Sequence, residues 1–419
     1  NLTSYSGTAP SGWTFAGWST TETGTTVSTV NSVALTDGAS VSNLTSTNGA
    51  TVKLYAVFKR NIVFKSGASA GTTNATLEQR YNPYKTTGYI TSVTSPSSLT
   101  GITSWTAAGW RNDGTAGAAT LALNTSVTPA YNATALTYYG VYTKTINVYS
   151  GVSKATNNSQ TQYLNTNGNK VSSISLAAPA TISGWTAIGY RDDTTAGDKE
   201  TAVTTSAVSI TPAYSTSAIN YYAVYNRTLT ITYAANGGTG TVGNTTKTIY
   251  LNTNSTTTSD QAVTLSNTTY TAPTGTSFSK WTIDSTDYDK TTSYTAGLAY
   301  NAESFTKTAT AKWTANTYTC EAGKYLKASN ATCTTCPAGY ACPGITDVEY
   351  TGSNLGVTSC VSSTSSVTGT YQPDTGKTSC ISAGNGEYVA SAHSSSKATC
   401  TAGNYCPSGK IAACSGLGT

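Results

Sequence analysis

The chain has 419 residues, only 10% of them charged, with a formal net charge of +5, 29 Tyr, seven Trp, five Phe and no Met. Its Lys and Arg are scattered, without a basic run or an aromatic–basic platform, which excludes nucleic-acid and membrane-surface partners. No apolar stretch approaches the roughly 18 residues of a membrane span, and the single histidine, His393 in SAHSSS, leaves no Ser–His–Asp or Cys–His pairing, so no enzyme is expected. Abundant Thr, Ser and Tyr favour strands whose surfaces are wetted by hydroxyls rather than charge.

Reading from Asn1, the first landmark is GWTFAGW (12–18), which returns as WTAAGW ending at Trp110, WTAIGY ending at Tyr190 and FSKW ending at Trp281. A Pro precedes each copy, at Pro10, Pro96, Pro179 and Pro273. The second landmark is KLYAVF (53–58), returning as YYGVY, YYAVY and TATAKW. Val57, Val141 and Val224 are spaced by 84 and 83 residues. A short polar join and an alternating segment follow each copy: NIVFKSG, INVYSG and LTITYAANGG. In the last of these, Leu229, Ile231 and Tyr233 alternate with Thr, the period of a half-buried strand. The repeat divides the chain at 1–60, 61–144, 145–227 and 228–316.

Each closing strand carries one small residue at a fixed place: Ala56, Gly140, Ala223 or Ala311. The space it leaves is expected to take the ring of Trp18, Trp110, Tyr190 or Trp281. Gly17, Gly109 and Gly189 before those rings suggest a bulge or close backbone approach. The repeated motif is therefore read as a core plug. The first aromatics, Trp13, Trp105 and Trp185, lie an odd five positions earlier and would face the other way in a regular strand. They alone keep the alternative reading of an exposed aromatic ledge for sugars.

ITYAANGGTG (231–240), GWTFAGWS (12–19) and KLYAVF resemble the three blocks of the Listeria–Bacteroides repeat, over about 1–316. That resemblance implies β-grasp-like modules strung in tandem on a bacterial surface, and no chemistry. The fold class is thus an all-β chain of β-grasp-like or β-sandwich-like modules in an elongated array, ending in a disulfide-rich, loop-rich domain. Module 1–60 has no opening strand before its Gly-Trp block. This reads as truncation, or as an edge completed in trans by strand complementation.

All nine cysteines follow residue 319: Cys320, Cys333, Cys336, Cys342, Cys360, Cys380, Cys400, Cys406 and Cys414. The clustering marks a separate domain, 317–419, and an oxidising, extracellular compartment. Cys333-x-x-Cys336 has zinc spacing, but no second ligand pair matches it, so disulfides are expected, with connectivity open and one cysteine left over. CEAGKYLKASNATCTTCPAGYACPG resembles the small cysteine-rich modules of ephrin-receptor-like ectodomains. Asp284, Asp287 and Asp289 lack the Gly turn and terminal Glu of a calcium loop and read as a solvated turn.

No metal and no cofactor are expected. Covalent glycans are the exception, at the sequons of Asn1, Asn43, Asn74, Asn124, Asn132, Asn157, Asn226, Asn244, Asn254, Asn267 and Asn330. The functional expectation is an extracellular structural or adhesive surface protein, self-associating head to tail as a filament or stalk. The alternative is a monomeric adhesin presenting a site for a glycan or another host-surface ligand.

Overall fold

A computed structural model describes residues 1–84 and 88–414. The described chain is all β, with three single-turn 3-10 segments as its only helical pieces. It forms two compact units: one of Asn1–Arg227, Tyr250–Ser259 and Ala299–Asn301, the other of Thr228–Ile249, Asp260–Leu298 and Ala302–Thr419.

Ten strands carry the repeat: β1 (Thr14–Ser19), β2 (Tyr55–Ser66), β3 (Thr72–Asn82), β4 (Thr106–Arg111), β5 (Thr137–Ser150), β6 (Gln160–Asn165), β7 (Thr186–Arg191), β8 (Asn220–Ala234), β9 (Thr276–Ile283) and β10 (Thr306–Ala315). The sequence suggested short polar joins between modules. Instead, β2, β5 and β8 run straight through them, so the closing strand of one module and the opening strand of the next are one strand. Arg60, Lys144 and Arg227, which end the modules in sequence, therefore sit inside strands. They share the inward face with buried Ile62, Ile146 and Leu229, two residues on, and alternate with Asn61, Thr145 and Thr228, which face out, so the pleat is unbroken.

Within a module the closing strand lies between the Gly-Trp strand and the module's own opening strand. In the first unit β5 pairs antiparallel with β4, from Tyr139↔Arg111 to Thr143↔Thr106, and parallel with β2 at Val63–Lys65. β8 repeats this with β7 and with Asn147–Tyr149 of β5. In the second unit, Thr230–Ala234 of β8 lies parallel to Thr306–Thr310 of β10, which also pairs with β9. Parallel neighbours need a long crossover, and the rest of each module supplies it. Among the described residues, no strand lies parallel to the Tyr55 end of β2.

The aromatic plugs sit directly across from the small residues: Trp18↔Ala56, Trp110↔Gly140, Tyr190↔Ala223 and Trp281↔Ala311. Trp110, Tyr190 and Trp281 are fully buried, while Trp18 is half-buried. In the second module Trp110 packs edge-on to Phe64, which stacks on Tyr138, in a cluster with Ile62, Val93 and Leu121. The glycines before the plugs sit at register shifts with φ of 146°, 140° and 146° at Gly17, Gly109 and Gly189. They also touch backbone: a Cβ on Gly109 would lie 2.5 Å from the Leu121 carbonyl. Both the bulge and the close approach hold at the same residue.

The cysteine-rich part of the second unit is a run of two-stranded hairpins. Disulfides join Cys320–Cys333, Cys336–Cys342, Cys360–Cys380 and Cys400–Cys406, and Cys414 is free and exposed. Four cysteines occupy one recurring place, where the N–H closing the hairpin donates to a glycine carbonyl: Cys336 to Gly323, Cys360 to Gly339, Cys400 to Gly386 and Cys414 to Gly403.

Candidate functional site: the joints between modules

The residues that sequence reasoning set aside as the odd ones out organise the first unit. Trp13, Trp105 and Trp185 are 4%, 7% and 8% exposed, so the ledge reading does not hold for them. Each indole N–H instead donates across a module boundary, at 2.8 Å to the carbonyls of Tyr131, Ser215 and Tyr300 respectively. The Gly bulge takes up the odd residue and sets both rings on one sheet face: Trp18 lies across from Ala56 in its own module, and Trp13 lies over Arg60, four positions on along the same strand, at the boundary with the next.

A cation from the boundary-crossing strand completes each joint. Arg60 lies over Trp13 with its guanidinium 4.2 Å from the ring centre. Its nitrogens donate to the carbonyls of Pro129, Ala130, Tyr131 and Ala133, and its Nε to Gln79 Oε1 at 2.9 Å. Lys144 lies 4.9 Å over Trp105 and donates to the Ser215 and Ser217 carbonyls. Arg227 occupies the third position, where a Cβ on Gly184 would be 3.0 Å from its Nη1. Burial pulls the Arg60 and Lys144 side chains below their ordinary pKa values. The carbonyl fans and ring faces offset that desolvation.

Lys144 is the weaker fit. Gln162, the counterpart of Gln79, is buried and donates to the Ser172 and Pro212 carbonyls, but among the described residues its Oε1 has no hydrogen-bond partner. The Nε that serves Gln79 is what a lysine lacks.

A second set of links runs the opposite way. Asn82 donates to the carbonyls of Glu22 and Gly24, Asn165 to those of Asp113 and Thr115, and Asn252 to those of Asp193 and Thr195. Each Asn side chain also accepts from the N–H two residues on, at Tyr84, Asn167 and Asn254. The gripped loops are themselves set by ion pairs. Arg111 and Arg191 each pair with an Asp two residues later, at 2.7 Å. Hydrogen bonding from Arg111 brings the Asp113 carboxyl down to about 2, and Arg191 holds Asp193 well below the usual carboxylate range.

The sequence did carry a signal for these joints. TPAYNATA, TPAYSTSA and GLAYNAES recur at 128–135, 211–218 and 297–304, and Arg60, Lys144 and Arg227 recur with the Val57 landmark. What it could not show is that these belong to one site, since Trp13 and Tyr131 are 118 positions apart.

The end of the opening strand is anchored alike in modules two and three. The Gly67 and Gly151 N–H groups donate to the hydroxyls of Tyr142 and Tyr225. Thr166 and Thr253 donate to the carbonyls of Gly140 and Ala223. Module one has Phe58 and Pro83 at those places, so the accepting hydroxyl and the donating N–H are both gone. A cleft of about 320 Å³ lies there, lined by Trp18, Leu54, Tyr55, Ala56 and Tyr84 among others. Among the described residues the buried Trp18 Nε1 has no hydrogen-bond partner, whereas Trp110, Tyr190 and Trp281 donate to Pro96, Ala177 and Ser266 carbonyls.

Asp284, Asp287 and Asp289 are each paired with a lysine, Lys307, Lys312 and Lys280 respectively. No group of three potential metal ligands occurs among the described residues. His393 stacks on Tyr340 at 4.9 Å. Of the sequon asparagines, Asn1, Asn43, Asn124, Asn132, Asn157, Asn244, Asn267 and Asn330 are exposed, and Asn74, Asn226 and Asn254 are half-buried. Among the described residues, no helix is long and apolar enough to cross a membrane. No protein-family model matches the chain, and no curated protein matches it.

Proposed function

We propose that this is an extracellular structural and adhesive surface protein, acting as a subunit of a filament or stalk. The observation that carries this reading is the joint built three times over. Each boundary is crossed by an unbroken strand, plugged by a tryptophan bonded to the neighbouring module, and gripped by an asparagine working in the other direction. Such reciprocal links suit a chain that must pass tension from module to module. Four disulfides favour an oxidising compartment, and the exposed sequons suit covalent glycans on a surface poor in charge.

Opening and closing strands that lie parallel at the centre of a module support the likeness to Listeria–Bacteroides β-grasp modules. The open cleft beside Trp18 supports assembly by strand addition. Electron microscopy of the native, non-reduced protein at neutral pH tests the proposal. Fibres with a regular axial repeat are the expected result. Discrete particles at all concentrations would discard self-assembly and leave the adhesin reading.

A further inference from the structure

The first joint differs from the second in a way that opens a surface. In the second, Tyr214 stacks on Trp105, at 6.2 Å and 21°, and the Ser104 hydroxyl donates to the Thr216 carbonyl at 2.6 Å. In the first, Tyr81 stands where β6 has Leu164, and it occupies the side of Trp13 at 5.4 Å. Tyr131 is displaced outward. It stacks on Tyr81 at 5.6 Å and 12° and remains 52% exposed. Gly12, in place of Ser104, bridges nothing: a Cβ there would meet no atom within 4 Å.

Two clefts result. One, of about 330 Å³, is lined by Pro10, Gly12, Tyr131, Asn132, Thr134 and Leu136 among others. The second, of about 350 Å³, shares Gly12 and Leu136 with it and adds Thr14, Lys59, Arg60, Asn61 and Glu78. A rigid ring backed by two further aromatics presents a flat apolar face. Around it stand amides, hydroxyls, one carboxylate and Lys59, which can donate to or accept from vicinal hydroxyls, while Arg60 is spent on backbone carbonyls. Glu78 is bridged by Lys59 at 3.5 Å and Arg80 at 2.7 Å, so it presents no unpaired charge.

We infer that this double cleft binds a neutral saccharide. One hexose would stack its C–H face on Tyr131 and a neighbour would reach Asn61 and Glu78. The inference rests on the first joint alone and stands or falls apart from filament assembly.

The test uses the full chain, with disulfides intact and made without N-glycosylation because Asn132 lines the cleft. Saturation-transfer NMR and titration are run with malto-, cello- and mannohexaose, and with a heparin hexasaccharide as the acidic counterpart. At least one neutral hexaose should bind. Tyr131→Ala should weaken it about tenfold or more, and Tyr131→Phe should leave it within about threefold. Gly12→Ser should abolish binding while the protein stays folded, since Ser104 holds the equivalent place at φ 64°. The inference is overturned if no neutral hexaose binds, if heparin is preferred, or if Tyr131→Ala or Gly12→Ser binds like the parent.

Discussion

The pair Arg60 and Lys144 is a natural experiment on one buried cation. Both occupy the same strand position, both lie over a tryptophan and both feed backbone carbonyls. Only the arginine has a donor partway along its side chain, at Nε, where it meets the glutamine beside it. A buried acceptor without a partner costs about 1–3 kcal/mol. Lys144→Arg should therefore stabilise the protein by about 1–2 kcal/mol, by giving Gln162 Oε1 the donor it lacks. Arg60→Lys should cost a similar amount or more, because it strands Gln79 and removes part of a four-carbonyl fan. Urea denaturation of the full chain reads both. A neutral or destabilising Lys144→Arg would mean that the guanidinium does not fit beneath Ser215 and Ser217. Sequence alone marked Trp105 as different from Trp110 but could not name its partner, because a long-range hydrogen bond leaves no local periodicity. The plugs were legible for the opposite reason: Trp110 and Gly140 recur together, and a missing side chain beside a recurring large one is a steric fact that spacing alone displays.

At the scale of strands, the bulge sets both aromatics of a repeat on one sheet face. Without the extra residue at Gly109, Trp105 would turn away from the face of β5 that carries Gly140, Tyr142 and Lys144, and could not reach the joint while Trp110 filled the core. That glycine combines φ of 140° with a carbonyl 2.5 Å from where a Cβ would sit. Gly109→Ala should accordingly cost about 2–3 kcal/mol or more. Gly101→Ala, where a Cβ would meet nothing within 4 Å, should change the midpoint little. Equal effects at the two sites would remove the bulge from the account. The continuity of β2, β5 and β8 was the feature least visible in sequence. Polar pairs such as Arg60–Asn61 look like a linker when read locally. They are strand residues because one side chain of each pair is consumed by the joint and the other faces out. A polar residue in a β pattern marks a turn only when nothing buried is available to bond it.

Over the whole molecule, two means of holding a chain together succeed one another. The residues before Cys320 rely on large rings, continuous strands and bonded joints. The hairpins after it have strands of two to four residues, too short to bury much apolar area. Their disulfides close loops with separations of 13, 6, 20 and 6 residues. In the chain-entropy view such closures contribute about 2–3 kcal/mol each, more than hairpins of this size supply by packing. Reducing the native protein at neutral pH should therefore act on one stretch only. Followed by hydrogen exchange with peptide-level resolution, the amides of Lys324–Lys327, Glu387–Tyr388 and Asn404–Tyr405 should lose protection. Those of β2, β5 and β8, which contain no cysteine and are sealed by Trp13, Trp105 and Trp185, should keep theirs. If β5 and β8 opened together with the hairpins, the joints would not be holding the modules by themselves. If the hairpins stayed protected, their glycine–cysteine backbone bonds, rather than the cross-links, would be what orders them.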